Sequence, residues 1–305
     1  MPITVESVAF GGWPNCRRVS DGVVEVIATT DVGPRLVRFG FVDGPNEFRE
    51  YPELQGLTGG DTWRMYGGHR FWHAPEDPAR TYVPDNSPVE VEARPDGLRL
   101  LQPVEALTGL QKEIELKLWP GAARVQVTHR LHNRGLLPLD LAPWALSVMA
   151  TGGTAILPLP PRGPHPENLL PASHLVLWAY TDMSDPRWTW GHKYILLRQD
   201  PQALSLQKVG ASVPDGWTAY ARDGHLFVKR FAYVRGATYP DLGCSVETFT
   251  DPGMLELETL GPLVSLAPQA AVEHVEDWHL FDGVPMPRSD ADVEAYVLPR
   301  LAQIQ

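Results

Sequence analysis

The feature that most constrains this chain is a succession of turn signals set between short alternating runs. Arg94-Pro95-Asp96-Gly97 divides Val89–Ala93 from Leu98–Leu101, and Pro120-Gly121 divides Gln111–Trp119 from Arg124–His132. Arg222-Asp223-Gly224 divides Trp217–Ala221 from Leu226–Phe231, and Asp251-Pro252-Gly253 divides Cys244–Thr250 from Met254–Leu260. Glycine tolerates positive φ and proline pre-sets its own φ, so these pairs nucleate tight turns. Period-2 alternation on either side turns one face of each run toward a core. Hairpins in succession build antiparallel sheets, and no strand here leads through a glycine-rich loop into a helix, as nucleotide-phosphate motifs require. Val23–Thr29 reads as a further strand and Ala271–Phe281 as a closing one. The expected fold class is all-β, a large antiparallel β-sandwich with one short C-terminal helix. Ser289 with Asp292 resembles a capping box for that helix, Val293 and Val297 lie one turn apart, and Pro299 is expected to kink or end it.

Composition supports the same architecture. Thirty prolines and 27 glycines among 305 residues, with 21% charged side chains, suit many turns better than long helices. The stretch from Pro158 to Pro171 cannot hold regular strand pairing, yet similar strand signals flank it. It reads as a long loop across one sandwich, so residues 1–305 are expected to form one domain. Net charge is −11 with Lys and Arg scattered, so the basic track that a polyanion needs is missing and no nucleic-acid partner is expected. No run approaches the roughly 20 apolar residues that cross a bilayer, and MPITVESVAF does not read as a signal peptide. A cytoplasmic location without a membrane partner follows as the expectation, as a monomer or weak homodimer. Cys16 and Cys244 make no disulfide framework and are expected as free thiols.

Chemistry concentrates in three segments. In YGGHRFWHAPE, two glycines precede His69, Arg70, Trp72, His73 and Glu76, a mixture suited to recognising a polar ligand. The His-x-x-x-His spacing would need a helix to hold zinc, and Gly67-Gly68 and Pro75 oppose one. On a strand the two imidazoles are about 13 Å apart, so no metal is expected. In the last hairpin, a two-residue Pro252-Gly253 turn sets Glu247 opposite Glu258. Glu247, Glu256 and Glu258 then share one face, with Leu255 and Leu257 on the other. Facing carboxylates repel, which raises one pKa unless Lys or Arg intervenes, and a poised general base can arise this way. A wet acidic edge strand would show the same pattern. A third segment supplies Lys208, Lys229 and Arg230. Lys229 and Arg230 point to opposite faces, so one of these two is placed to offset those glutamates, and surface solvation would account for each singly. Among the other histidines, His192 in WTWGHKY is the best isolated candidate. Ten tryptophans fit either stacking on sugar rings or filling a wide core.

These segments together resemble the galactose mutarotase-like superfamily, and within it the bacterial DUF4380 branch. The resemblance rests on Leu257-Glu258-Thr259, Pro262, Leu266-Ala267-Pro268 and His274–Phe281, which match the Leu-Glu-Thr-Gln, proline, Leu-x-Pro-Gly-Glu turn and final strand of aldose 1-epimerases. A second part is VTHRLHNRGLLPLDLAPWALSVMATGG. The resemblance implies a small-molecule carbohydrate as partner, no cofactor, Glu258 as general base and Arg70 as substrate-binding arginine. Where epimerases carry the acid histidine of a His-x-Tyr-Phe motif, this chain reads Ala142-Pro143-Trp144-Ala145. His69 or His73 would then act as acid, and Trp72 and Trp144 would stack on the sugar. The same superfamily includes non-catalytic binding modules, and a lyase or hydrolase for an acidic sugar using Lys208, Lys229 or Arg230 with Glu247 is a further reading.

Overall fold

All four hairpins form where turn chemistry puts them. The computed structural model describes residues 2–304, arranged as two large antiparallel sheets. Across the first, the order is Thr4–Phe10, Trp13–Ser20, Val24–Thr29, Arg35–Phe41, Gly68–Ala74, Leu139–Met149, Leu255–Leu260, Val246–Thr250, Gln207–Ala211 and Leu175–Leu177, with Val264–Leu266 also on Leu139–Met149. Across the second it is Trp188–Trp190, Tyr194–Arg198, Thr154–Pro158, Trp217–Arg222, His225–Phe231, Ala271–Phe281, Arg124–Asn133, Leu110–Leu118, Gly97–Leu101 and Glu90–Arg94. The Pro-rich stretch is the loop that crosses from the second sheet, at Thr154–Pro158, to the edge of the first, at Leu175–Leu177.

Inward-facing residues of both sheets meet in one core, where Leu36, Phe39, Phe71 and Leu257 pack with Ile114, Val127, Phe227 and Trp278. Burying such side chains contributes roughly 1.5–3 kcal/mol each. The outer face of the second sheet is covered in part by the C-terminal helix, whose Val293, Val297 and Leu301 pack on Trp217, Ala219 and Val228. Ser289 caps this helix, its hydroxyl accepting from the Asp292 N–H. Pro299 does not end it. A wide π-type turn over Val293–Val297 precedes the proline, and Leu298–Leu301 continues as α-helix. Proline has no N–H to donate back along the helix, so a widened turn just before it loses little.

Gly67 and Gly68 set the entry into the Gly68–Ala74 strand. Both have positive φ, and a Cβ on either would lie 2.1 Å from the Arg49 carbonyl or 2.2 Å from the Leu36 carbonyl. Only glycine fits. Both cysteines are buried and free, and among the described residues no helix is long and apolar enough to cross a membrane.

The outward face of the second sheet carries a charged belt around Glu113, which accepts from Arg99 (2.7 Å), Arg130 (2.7 Å) and His132 (2.9 Å). Burial pushes the Glu113 carboxyl up, but these three donors outweigh it and hold it at about 2. A depressed carboxylate adds stability above its unfolded value, near 4.3, and loses it as pH falls toward 2. Glu113→Gln is therefore expected to be less stable than wild type at pH 7, with the gap narrowing between about pH 4.3 and 2. Denaturant midpoints across that range test this, and a gap independent of pH would refute it.

Candidate functional site

Strand alternation on the outer face of the first sheet assembles one polar, aromatic cleft. Arg70 and Trp72 project from Gly68–Ala74, and their partners across the ladder on Leu139–Met149 are Leu146 and Trp144. Leu146 pairs in turn with Glu258 and Val148 with Glu256, both on Leu255–Leu260. Glu258 pairs with Glu247 and Glu256 with Phe249, as the two-residue turn predicts, and Phe249 pairs with Lys208. Loops supply the rest of the wall: Trp63, Met65, Glu76, Tyr82, Tyr180 and Met254. The cavity between them is about 230 Å³.

Every cation in it is paired and stacked. Arg70 Nη2 lies 2.7 Å from Glu256 Oε1, and its guanidinium sits 4.2 Å from the centre of the Trp72 ring and 5.5 Å from that of Trp63. Lys208 Nζ lies 2.8 Å from Glu247 and 3.4 Å from Glu258, over Trp178 at 4.6 Å and Trp144 at 5.1 Å. The Trp144 indole N–H donates to Glu258 Oε2 at 2.8 Å. Among the described residues, Glu258 Oε1, Glu247 Oε1, Arg70 Nε and the Trp63 N–H are buried with no hydrogen-bond partner. Unsatisfied polar atoms of this kind are costly in an empty protein and useful in a site that takes a polar ligand.

Two carboxylates share one ammonium here. Burial drives Glu247 well above the usual carboxylate range, with Lys208 opposing and Glu258 adding to the rise. Burial also raises Glu258, again against Lys208 and with Glu256 adding. Lys208 is held well above its ordinary value because Glu258 and Glu247 outweigh its own desolvation. Both carboxyls are raised by burial and repel one another across the shared ammonium, so the Glu247–Glu258 pair titrates as a unit beside Lys208.

Of the residues singled out in the sequence, Arg70, Trp72, Glu76, Trp144 and Lys208 line the cleft, and Glu247 and Glu258 lie against Lys208. The others are elsewhere. His69 and His73 alternate with Arg70 and Trp72, so they face the sandwich interior. His69 bonds Ser147 Oγ (2.8 Å) and His129 Nε2 (2.7 Å), and burial holds it well below its ordinary value. His73 lines a separate small cavity with Leu110, Leu139 and Leu141, where burial lowers it to about 3. Neither reaches the cleft, so the acid role expected for one of them has no geometry behind it. Lys229 is also interior, 3.0 Å from Glu276, while Arg230 faces outward from the second sheet beside Asp277. His192 sits on a surface loop, its N–H donating to Asp290 and its Nδ1 facing Arg162 at 2.8 Å. Glu256, on the acidic face but given no role, turns out to be the glutamate of that hairpin that lines the cavity.

His69, His129 and Glu276 come close enough together to suggest a metal site. Two imidazole ligands of a tetrahedral zinc stand about 3.3 Å apart, given bonds near 2.0–2.1 Å. The 2.7 Å between these two Nε2 atoms is a hydrogen bond instead, and Lys229 already neutralises Glu276.

No protein-family model matches the chain, and no curated protein matches it. Solved structures do. A protein described as a putative aldose 1-epimerase from Klebsiella pneumoniae aligns over 99% of this chain and 87% of its own, with 13% identity and a TM-score of 0.56. A putative mutarotase from Salmonella typhimurium aligns over 92% and 94%, with 9% identity and a TM-score of 0.57. A galactose mutarotase-like protein from Lactobacillus casei aligns over 88% and 100%, with 10% identity and a TM-score of 0.53. At such identities the likeness is one of fold, and in fold this chain is a β-sandwich of the galactose mutarotase-like type.

Proposed function

We propose that the cleft binds a small carbohydrate, its ring lying against the Trp72 and Trp144 indoles and its hydroxyls meeting Arg70, Glu256 and Lys208. The observation that carries this reading is the convergence of indole faces and paired ions from separate strands on one cavity. Aromatic faces match the C–H faces of a sugar, and fixed polar groups at the edge match its hydroxyls. At about 230 Å³ the cavity lies below the roughly 300–1,000 Å³ of drug-sized pockets, which suits a monosaccharide. A panel of aldoses should raise the melting temperature and change tryptophan fluorescence. Saturation at 100-fold over Kd adds about 2.7 kcal/mol of stability. Trp72→Ala should weaken binding at least tenfold, about 1.4 kcal/mol. If no sugar of the panel moves either signal, the reading fails.

One observation favours catalysis in the same cleft. Glu258 is held by Trp144 and Lys208 through Oε2 only, and Oε1 is left without a partner among the described residues. That arrangement suits a general base taking the proton of an anomeric hydroxyl, as in an aldose 1-epimerase. The acid would be Lys208 or the Glu247 carboxyl, since the histidines lie elsewhere.

A further inference from the structure

We infer that the cleft selects sugars carrying a protonated amino group over neutral and acidic ones. This rests on the carbohydrate reading above and names the substrate class within it. Around the cavity stand four carboxylates, Glu76, Glu247, Glu256 and Glu258, against two cations, Arg70 and Lys208. Even with one proton shared between Glu247 and Glu258, the carboxylates outnumber the cations by one charge. Pairing leaves that excess on Glu76 at the exposed rim, while Glu256, which lines the cavity beside Arg70, is nearly buried and its field is little screened.

An anionic sugar would have to compete with the glutamates already paired to both cations. Arg70 is engaged by Glu256 and by two indoles, and Lys208 by two glutamates and two more. A uronate or sugar phosphate would bring a second negative charge into a site that already carries one. An ammonium would instead complete the balance. Glu256 lines the cavity 2.7 Å from Arg70, and its carboxylate has further lone pairs with which to accept from an ammonium as well. Glu76 at the rim is engaged only by the Tyr82 hydroxyl among the described residues. The remaining walls include Trp63, Tyr82, Tyr180 and Phe249, whose faces attract cations and repel anions.

The experiment is calorimetric titration of the full chain with glucose, glucosamine, N-acetylglucosamine and glucuronate under one buffer condition. Glucosamine, titrated where its amine is protonated, should bind at least tenfold more tightly than glucose. N-acetylglucosamine, which keeps the nitrogen but not the charge, should lose that gain. Glucuronate should bind more weakly than glucose. Glu256→Gln should shrink the glucosamine-to-glucose ratio toward one, and Glu76→Gln should shrink it in part. Equal or tighter binding of glucose or glucuronate would overturn the inference while leaving the sugar site standing. Binding of none of the four would instead sink the carbohydrate reading itself, and the inference with it.

Discussion

Replacing Lys229 by Met is expected to destabilise the protein by about 3–5 kcal/mol, the cost of stripping one partner from a buried ion pair. Lys229 and Glu276 are both fully buried at the centre of the sandwich, 3.0 Å apart. Lys229 also donates to the Leu257 carbonyl at 3.0 Å, and Glu276 accepts from the Trp278 indole at 2.7 Å and from the Thr259 hydroxyl. Without the ammonium, the carboxylate stays in a dry interior with only neutral donors. Lys229→Met with Glu276→Leu should recover most of the loss, because a matched apolar pair removes the stranded charge. pH gives a second readout. In wild type, burial pushes Glu276 up, but Lys229 and the neighbouring histidines outweigh it and hold the carboxyl below its ordinary value. Its contribution is therefore present above the unfolded value and fades as pH falls through the folded one. In Lys229→Met the folded value rises above the unfolded one and the sign reverses, so the deficit should shrink in acid. Urea unfolding at pH 7 and pH 4 measures both effects. A deficit below about 1 kcal/mol, the range of an exposed pair, would show that the interior is wetter than its packing implies.

The contrast between Lys229 and Arg230 marks how far the sequence was legible. Turn chemistry fixes where strands end, so the four hairpins and the pairing of Glu247 with Glu258 could be read from Asp, Pro and Gly alone. Alternation then shows that neighbours face opposite ways, but not which way is inward. On the Gly68–Ala74 strand every residue is buried, on the core side or beneath the cleft, so polarity gives no parity signal. His69 and His73 look as available as Arg70 and Trp72. Only the register across the sheet sends the histidines into the sandwich. Phe249 and Glu256 were within reach of the same alternation that placed Glu247 and Glu258. Trp63, Tyr82 and Tyr180 were not, because they arrive from loops whose path is set by tertiary packing rather than local pattern.

Glu258→Gln is the substitution that separates the two activities the cleft can support. If the cleft isomerises a sugar, a freshly dissolved aldose loses its optical rotation faster with the protein than without it. The glutamine variant should then slow this by about 10²–10⁴-fold, the usual worth of a general base. Folding should not suffer. The substitution leaves Lys208 with a single carboxylate partner at 2.8 Å, and it removes the repulsion between Glu247 and Glu258. An unchanged or higher melting temperature alongside a lost rate therefore points to chemistry rather than structure. The pH profile carries a signature too. Burial raises Glu258 above the usual carboxylate range, so the base is lost as pH falls through that raised value, at higher pH than an exposed glutamate would titrate. In Glu258→Gln that acid limb should vanish. If the variant keeps the wild-type rate, the base is another carboxylate, and Glu256, which lines the cavity, is the one to replace next. If wild type binds sugars but accelerates none, the missing histidine at Ala142–Ala145 is decisive. The strands then present a polyol receptor whose buried carboxylates set affinity rather than rate.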